Sequence, residues 1–157
     1  MPTTTTVRLA TLADAAAIAA MSRDYIEQGL GWSWTVSRVE AAIRDPDTNV
    51  AVVGEPGALL AFGIMGYREK AAHLALFAVR ASHQRQGIGS RILGWLETVA
   101  VTAGITHIHV ECRRDNAAAR NFYGEYGYHE QVISKGYYRG LEDAVRLEKW
   151  LTPASDP

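Results

Sequence analysis

The segment Gln84-Arg85-Gln86-Gly87-Ile88-Gly89 has the residue types and spacing to hold a phosphate group. Ahead of it runs an apolar stretch, Leu74-Ala75-Leu76-Phe77-Ala78-Val79, that reads as a buried strand. Behind it Ile88, Ile92, Leu93, Leu96, Val99 and Ala100 recur at helical spacing. A turn at this junction aims the unpaired first amides of the helix, and the positive end of its dipole, at an anion. Gly87 and Gly89 carry no side chain, so an oxygen can come close to the backbone. No Gly-Lys-Ser/Thr follows, so this is not a Walker loop, and the third glycine of a dinucleotide fingerprint is absent.

Acid–base chemistry has its candidates further on. Strand alternation over 106–112 puts His107, His109 and Glu111 on one face and Ile108, Val110 and Cys112 on the other. Glu111, at the strand end, can take a proton directly or through water; it can equally be solvated or paired with Arg113 or Arg114. His107-x-His109 resembles half of a metal site, but no third ligand comes at a suitable spacing except Glu111 itself. No metal is expected, and the histidines are read as structural or supporting. Cys112 points away from Glu111 and has no base on its own face, which disfavours a covalent cysteine route. Tyr123 is either a hydroxyl donor or a core ring beside Phe122. Trp32 and Trp34, in a glycine-broken loop, either plug one end of the core or wall a binding groove. Arg85, Arg91, Arg113, Arg114 and Arg120 are available to phosphates or simply solvated.

The elements that must position these residues follow from pattern. A short strand over 7–10 leads to a helix capped by Thr11 with Asp14 in a capping box, running through Ile26 and ended by Gly29 and Gly31. Ser37 with Glu40 predicts a second capping box, opening a helix that stops at Asp45-Pro46-Asp47. Strands follow over 49–53, 58–67 and 73–79. A helix from Ile88 to Ala103 connects to the strand over 106–112, which must therefore run parallel to its predecessor. Asp115 or Asn116 caps a helix carrying Phe122 and Tyr123, with Asn116 and Tyr123 two turns apart on one face. A hairpin over 128–150 closes the chain, and its final strand is open to pairing with a second copy in a homodimer.

The whole chain has 157 residues, 48% hydrophobic and 21% charged, with a net charge of −1 and one cysteine. That predicts one α/β domain over 1–157, with 1–6 as a flexible tail. Its sheet is mixed and mostly antiparallel, about seven strands, with helices on both faces. The charge balance gives no reason to expect nucleic-acid or membrane binding. The lone cysteine excludes an internal disulfide. With no signal-peptide core and no long apolar run, the expected setting is the cytoplasm.

The pattern Gln/Arg-x-x-Gly-x-Gly at 84–89 resembles the pyrophosphate-binding segment of the GNAT superfamily of acetyltransferases, and the order of elements matches that fold over nearly the whole chain. Asn116-x-x-Ala119-x-x-x-Tyr123 resembles the segment that cradles the pantetheine arm and thiol. The resemblance implies acetyl-CoA as co-substrate, with no metal. It implies cofactor contacts from Phe77, Ala78 and Val79 at the strand end and from Gln84, Arg85, Gln86, Gly87, Ile88, Gly89 and Ser90 in the loop. Asn116, Ala119 and Tyr123 complete that set. An amide near Val79 polarises the thioester carbonyl. The Glu111/Tyr123 spacing is similar to that of bacterial ribosomal-protein alanine N-acetyltransferases, in which the two residues act as base and acid. A primary amine then attacks the acetyl carbonyl directly, through a tetrahedral intermediate. The acceptor is a small amine, an amino-acid-like molecule or a protein N-terminus. Tyr137 and Tyr138, resembling the closing hairpin of protein N-terminal acetyltransferases, are the expected substrate-binding residues with Trp32 and Trp34. A GNAT-fold acyl-CoA sensor without turnover is the alternative.

Overall fold

The computed structural model describes residues 6–151. Of the expected tail over 1–6, only Thr6 falls among them. Seven strands are present among the described residues: β1 (Val7–Leu9), β2 (Thr48–Glu55), β3 (Ala58–Arg68), β4 (Ala71–Val79), β5 (His107–Arg113), β6 (His129–Tyr138) and β7 (Glu142–Trp150). They lie in the order β1-β2-β3-β4-β5-β7-β6. Four α-helices separate them in the chain: α1 (Ala15–Met21), α2 (Val36–Arg44), α3 (Ile88–Thr102) and α4 (Ala117–Glu125). The β1/β2, β2/β3, β5/β7 and β6/β7 pairs are antiparallel, and β4/β5 is parallel. This is the mixed, mostly antiparallel sheet that the sequence predicts. No helix among the described residues is long and apolar enough to cross a membrane.

Two compact units divide the chain. The first runs to Gly66 and includes Ala75–Val99. Its core sets Ile18 and Ala19 of α1 and Val39 of α2 against Val50, Val52, Phe62, Ile64, Leu76 and Ala78 of the sheet. Gly63, between Phe62 and Ile64, faces the other way by strand alternation. A Cβ on Gly63 would lie 3.0 Å from Leu96 Cδ1 and 3.1 Å from Ile92 Cγ2, so α3 rests directly on the bare backbone of β3. Helices therefore cover both faces of the sheet in this unit. The entry to α1 is fixed by charge. The Thr11 amide donates to Asp14 Oδ2 at 2.8 Å, closing the expected capping turn. Arg8 grips the same buried carboxylate through both terminal nitrogens, at 2.8 and 2.9 Å, and donates to the Gly54 carbonyl. The Arg8 hydrogen bond holds the Asp14 carboxyl below the usual range.

Two boundaries differ from expectation. The first helix does not run on as α-helix to Ile26; after Met21 it widens into a π-helical turn, Ser22–Ile26. The second helix is capped by Thr35, whose hydroxyl accepts from the Arg38 amide at 3.4 Å. Ser37 lies inside α2, because Thr35, two residues further upstream, takes the cap and leaves Val36 as the first helical position.

The second unit comprises Tyr67–Leu74 and the chain after Val99. Ala71, Ala72, His73 and Leu74 of β4 pair with His107, Ile108, His109 and Val110 of β5. Across the β5/β7 ladder, Val110 faces Leu147 and Cys112 faces Val145, forming a buried apolar side. On the other side His109 faces Glu148 and Glu111 faces Arg146. The last strand is flanked by β5 and β6, so it offers no edge to a second copy; β6 is the edge strand here.

The Gly63 contact gives a stability test. Gly63→Val would push two methyl groups into Ile92 and Leu96, and a loss of about 1–3 kcal/mol is expected. Urea unfolding should show a lower midpoint at an unchanged slope. A midpoint equal to wild type would mean that α3 is not seated on Gly63.

Candidate active site

The glycine turn forms where β4 gives way to α3. Arg80 is pinned at the end of β4: its amide donates to the Leu60 carbonyl at 2.7 Å and its Nε to the Leu59 carbonyl at 2.8 Å. A 3₁₀ turn, Ala81–His83, follows. The Gln84 side-chain amide reaches back to the Val79 carbonyl at 3.1 Å and ties the turn to the strand end. Gln84 thus braces the turn. Arg85 and Gly87 both take left-handed backbone, at φ 65° and 80°. For Gly87 this is free; for Arg85 it costs energy, and such strain persists where it serves a site. A Cβ on Gly87 would meet only Ser90 Oγ, at 4.0 Å, so the turn is open to an incoming group. The first α3 hydrogen bond runs from the Arg91 amide to the Gly87 carbonyl. The amides of Ile88, Gly89 and Ser90 precede it and have no intrahelical acceptor. The Ser90 hydroxyl donates to the Gly87 carbonyl at 2.9 Å. This geometry suits an anion such as a pyrophosphate.

The titratable centre lies in the second unit. His73 Nε2 sits 2.8 Å from Glu111 Oε2, and His109 Nδ1 sits 3.6 Å from Glu111 Oε1. The His73 and His109 rings are stacked, 4.3 Å between centroids and 8° from parallel, as their register pairing across β4 and β5 requires. Burial by itself would raise the Glu111 pKa. The hydrogen-bond and charge interactions with His109 and His73 outweigh it and bring it from 4.5 to about 2. At 3.6 Å the His109 contact is electrostatic, leaving Nδ1 of that ring without a hydrogen bond, whereas His73 is the bonded partner.

His109 stands beside Glu111, as the strand alternation predicts, whereas His107 lies apart from it. His107 stacks on Trp150 at 4.6 Å and lies 3.6 Å from Glu148. The third member of the cluster is His73, 38 residues before Glu111 and therefore invisible to local spacing. The three donors lie within 4.8 Å of one another. Imidazole lone pairs lie in the ring plane, however, and two nearly parallel planes do not converge on one ion. The cluster as arranged is a hydrogen-bonded carboxylate–imidazole group. Glu111 is also not the partner of its neighbouring arginines: Arg113 pairs with Glu142, and Arg114 with Asp143. Arg120 is held by Glu130 at 2.7 Å, so these three arginines are engaged within the fold.

The tyrosines come from α4 and from the closing hairpin. Tyr123, on α4, is buried at 5% exposure and meets Tyr128 edge-on at 5.6 Å. Burial, with lesser contributions from Cys112 and Tyr138, drives its pKa upward, so the phenol keeps its proton at neutral pH. Burial also pushes the Cys112 thiol up to about 11, which removes the thiolate a covalent route would need. Asn116 is the α4 N-cap, its side-chain oxygen accepting from the Ala119 amide at 3.1 Å. Asn116 is exposed at the start of α4, and Tyr123 lies seven residues further on, buried within the helix. Tyr137 and Tyr138 pack edge-to-face at 5.0 Å. Burial raises both, and the negative charge of Glu111 adds to each shift, which brings this hairpin into the electrostatic surroundings of the carboxylate.

The tryptophan loop is organised by a residue that sequence reasoning passed over. Glu27, buried at the end of the π-helical turn, accepts from the Ser22 hydroxyl at 2.9 Å, the Ser33 amide at 2.8 Å and the Trp34 amide at 3.2 Å. The Ser33 hydroxyl also binds it. Trp34 packs on the first unit's core beneath Arg38, whose guanidinium lies 3.8 Å from the ring. Trp32 is 42% exposed, its indole N–H on the Ala19 carbonyl at 3.2 Å. The two rings thus take different roles: Trp34 plugs the core and Trp32 presents a surface. A carboxylate just past a helix, before two tryptophans, was the available signal for Glu27.

Comparison with known proteins bears on this geometry. The profile of the acetyltransferase (GNAT) family matches residues 17–128. The ribosomal protein bS18-alanine N-acetyltransferase of Escherichia coli (strain K12) is 35% identical over 92 residues, which are 57% of this chain and 62% of that protein. The chain thus spans less than two thirds of the length of the curated relatives it matches. The crystal structure of the ribosomal-protein-S18-alanine N-acetyltransferase from Escherichia coli superposes with a TM-score of 0.77 at 27% identity, covering 96% of each chain. A PaiA N-acetyltransferase from Thermoplasma acidophilum in complex with coenzyme A has the same fold, with a TM-score of 0.76 at 15% identity over 93% of this chain and 98% of that one.

The Glu111 pKa sets an acid-stability test. A carboxyl depressed from 4.5 to about 2 contributes stability above pH 4.5 and loses it as pH falls toward 2. Glu111→Gln is expected to remove on the order of 2–3 kcal/mol of that acid dependence. Urea unfolding of both proteins at pH 7 and pH 3 measures it; parallel losses would mean that Glu111 is not the depressed group.

Proposed function

We propose an activity for this chain from one premise: it belongs to the acetyltransferase (GNAT) family. It moves an acetyl group from acetyl-CoA directly to a primary amine, either a small amine or amino-acid-like molecule or a protein N-terminus. The observation that carries this reading is the open Gly87 turn, with three unpaired amides at the start of α3, directly after β4. In this reading the amides of 85–90 hold the pyrophosphate of the co-substrate, and Phe77, Ala78 and Val79 lie along the acetyl end. Asn116 and Ala119 contact the pantetheine arm. Tyr123, which stays protonated at neutral pH, supplies the proton to the departing thiolate. Glu111 belongs to proton removal from the amine. Tyr137, Tyr138 and the exposed Trp32 are the acceptor contacts, while Trp34 supports the loop that carries Trp32.

The chemistry assigned here calls on no metal, since attack, collapse and proton transfer are all within reach of side chains and backbone amides. The single cysteine suits a reducing, cytoplasmic setting. Curated relatives carry the name of a ribosomal-protein alanine N-acetyltransferase, which makes a protein N-terminus beginning with alanine one acceptor worth testing.

The test is thiol release from acetyl-CoA against short peptides with different N-termini, amino acids, polyamines and aminoglycosides. Turnover with one acceptor class is expected. Tyr123→Phe should lower kcat about 100-fold with acetyl-CoA affinity nearly kept. Acetyl-CoA binding with no turnover on any acceptor would instead favour an acyl-CoA sensor, and an unchanged kcat would remove Tyr123 from the acid role.

A further inference from the structure

The base that takes the proton from the amine must be reachable and basic enough, and Glu111 meets neither condition well. Its side chain is 9% exposed, against 37% for His73, which lies on it. We infer that proton removal from the acceptor amine is the work of a His73–Glu111 pair, in which the His73 imidazole receives the proton and the Glu111 carboxylate holds and orients it. This rests on the acetyltransferase reading and assigns a catalytic residue that the base–acid pair of that reading omits.

The geometry carries it in three steps. First, an ionised carboxylate only accepts, so the 2.8 Å contact requires the hydrogen on His73 Nε2. The neutral ring then has its lone pair on Nδ1, and no hydrogen bond occupies that atom among the described residues. Second, the parallel stack on His109 fixes the ring plane, so the imidazole is held on two sides, by a hydrogen bond and by a ring. Third, a carboxylate held at about 2 is a feeble acceptor for a proton from an ammonium group, whereas imidazole is the side chain whose ordinary range spans neutral pH. The carboxylate's low proton affinity is what keeps it charged as the ring takes up a proton.

The charged and titratable surroundings are those of a proton acceptor's support. On β5 stand His109 and Glu111 themselves; across the ladder on β7 stand Glu148 and Arg146, opposite His109 and Glu111. From the β6 end come Tyr137 and Tyr138, both raised and therefore neutral. The step balances. The amine nitrogen gives one proton to His73 Nδ1 as its lone pair forms the bond to the acetyl carbon. The carbon–sulfur bond breaks with its electron pair on sulfur, and sulfur takes the Tyr123 proton. Water then carries the His73 proton to the tyrosinate, leaving both side chains as they began.

The experiment uses the full chain in two arms. Long-range proton–nitrogen NMR of the histidine rings should find His73 as the Nε2–H tautomer, with a hydrogen-bonded Nε2 proton signal that Glu111→Gln abolishes. His73→Gln keeps a donor toward Glu111 but cannot accept a proton. It should lower kcat/KM for the acceptor by about 10²-fold or more and flatten the acidic limb of the pH profile. The KM for acetyl-CoA should stay within about twofold. An Nδ1–H tautomer, or a His73→Gln enzyme with wild-type turnover and pH limb, overturns the pair while wild-type turnover upholds the acetyltransferase reading. Absence of wild-type turnover on every acceptor overturns that reading, and the catalytic part of this inference with it.

Discussion

The parallel pairing of β4 with β5 is the constraint from which the site follows. Parallel neighbours cannot be joined by a tight turn, so the chain must leave the end of β4, form a helix and return. The obligatory exit is the segment 80–87, and the obligatory helix is α3, whose first amides have no partners of their own. An open turn with free helix amides is thus a by-product of the topology, with left-handed backbone at Arg85 and Gly87. The same pairing sets His73 beside His109 and fixes the ring stack against which Glu111 rests.

Charge in this molecule is placed in small closed groups. Asp14 is buried because Arg8 and the Thr11 amide satisfy it, and Glu27 because four donors from Ser22, Ser33 and Trp34 do. Each fixes a segment that packing alone would leave loose: the entry to α1 in one case, the tryptophan loop in the other. Glu111 differs, since its partners are imidazoles rather than a permanent cation or backbone amides. A buried carboxylate satisfied by titratable partners is poorly suited to structural support and well suited to moving protons.

Much of this could be read from the residues alone because it is local. The period-2 pattern of 106–112 and the helical stripe after Gly87 gave β5 and α3, and the Thr11-x-x-Asp14 spacing gave the first cap. What escaped was non-local or conformational. His73 meets Glu111 through strand register, which no spacing rule encodes. The π-helical turn after Met21 and the positive φ of Arg85 are backbone choices made by tertiary context, with no glycine or proline to mark them. The Ser37/Glu40 box failed because Thr35, two residues earlier, offered an equally good cap. The final strand was read as able to pair with a second copy, whereas the hairpin folds back so that β7, not β6, meets β5.

Residue-resolved binding of acetyl-CoA tests the account most directly. Titration of nitrogen-labelled chain, followed by amide NMR, should produce its largest shifts in the amides of 85–90, with a second group over 116–119. Saturating acetyl-CoA that leaves the 85–90 amides unmoved would contradict the assignment of the turn, and with it the acetyl-transfer reading built on it.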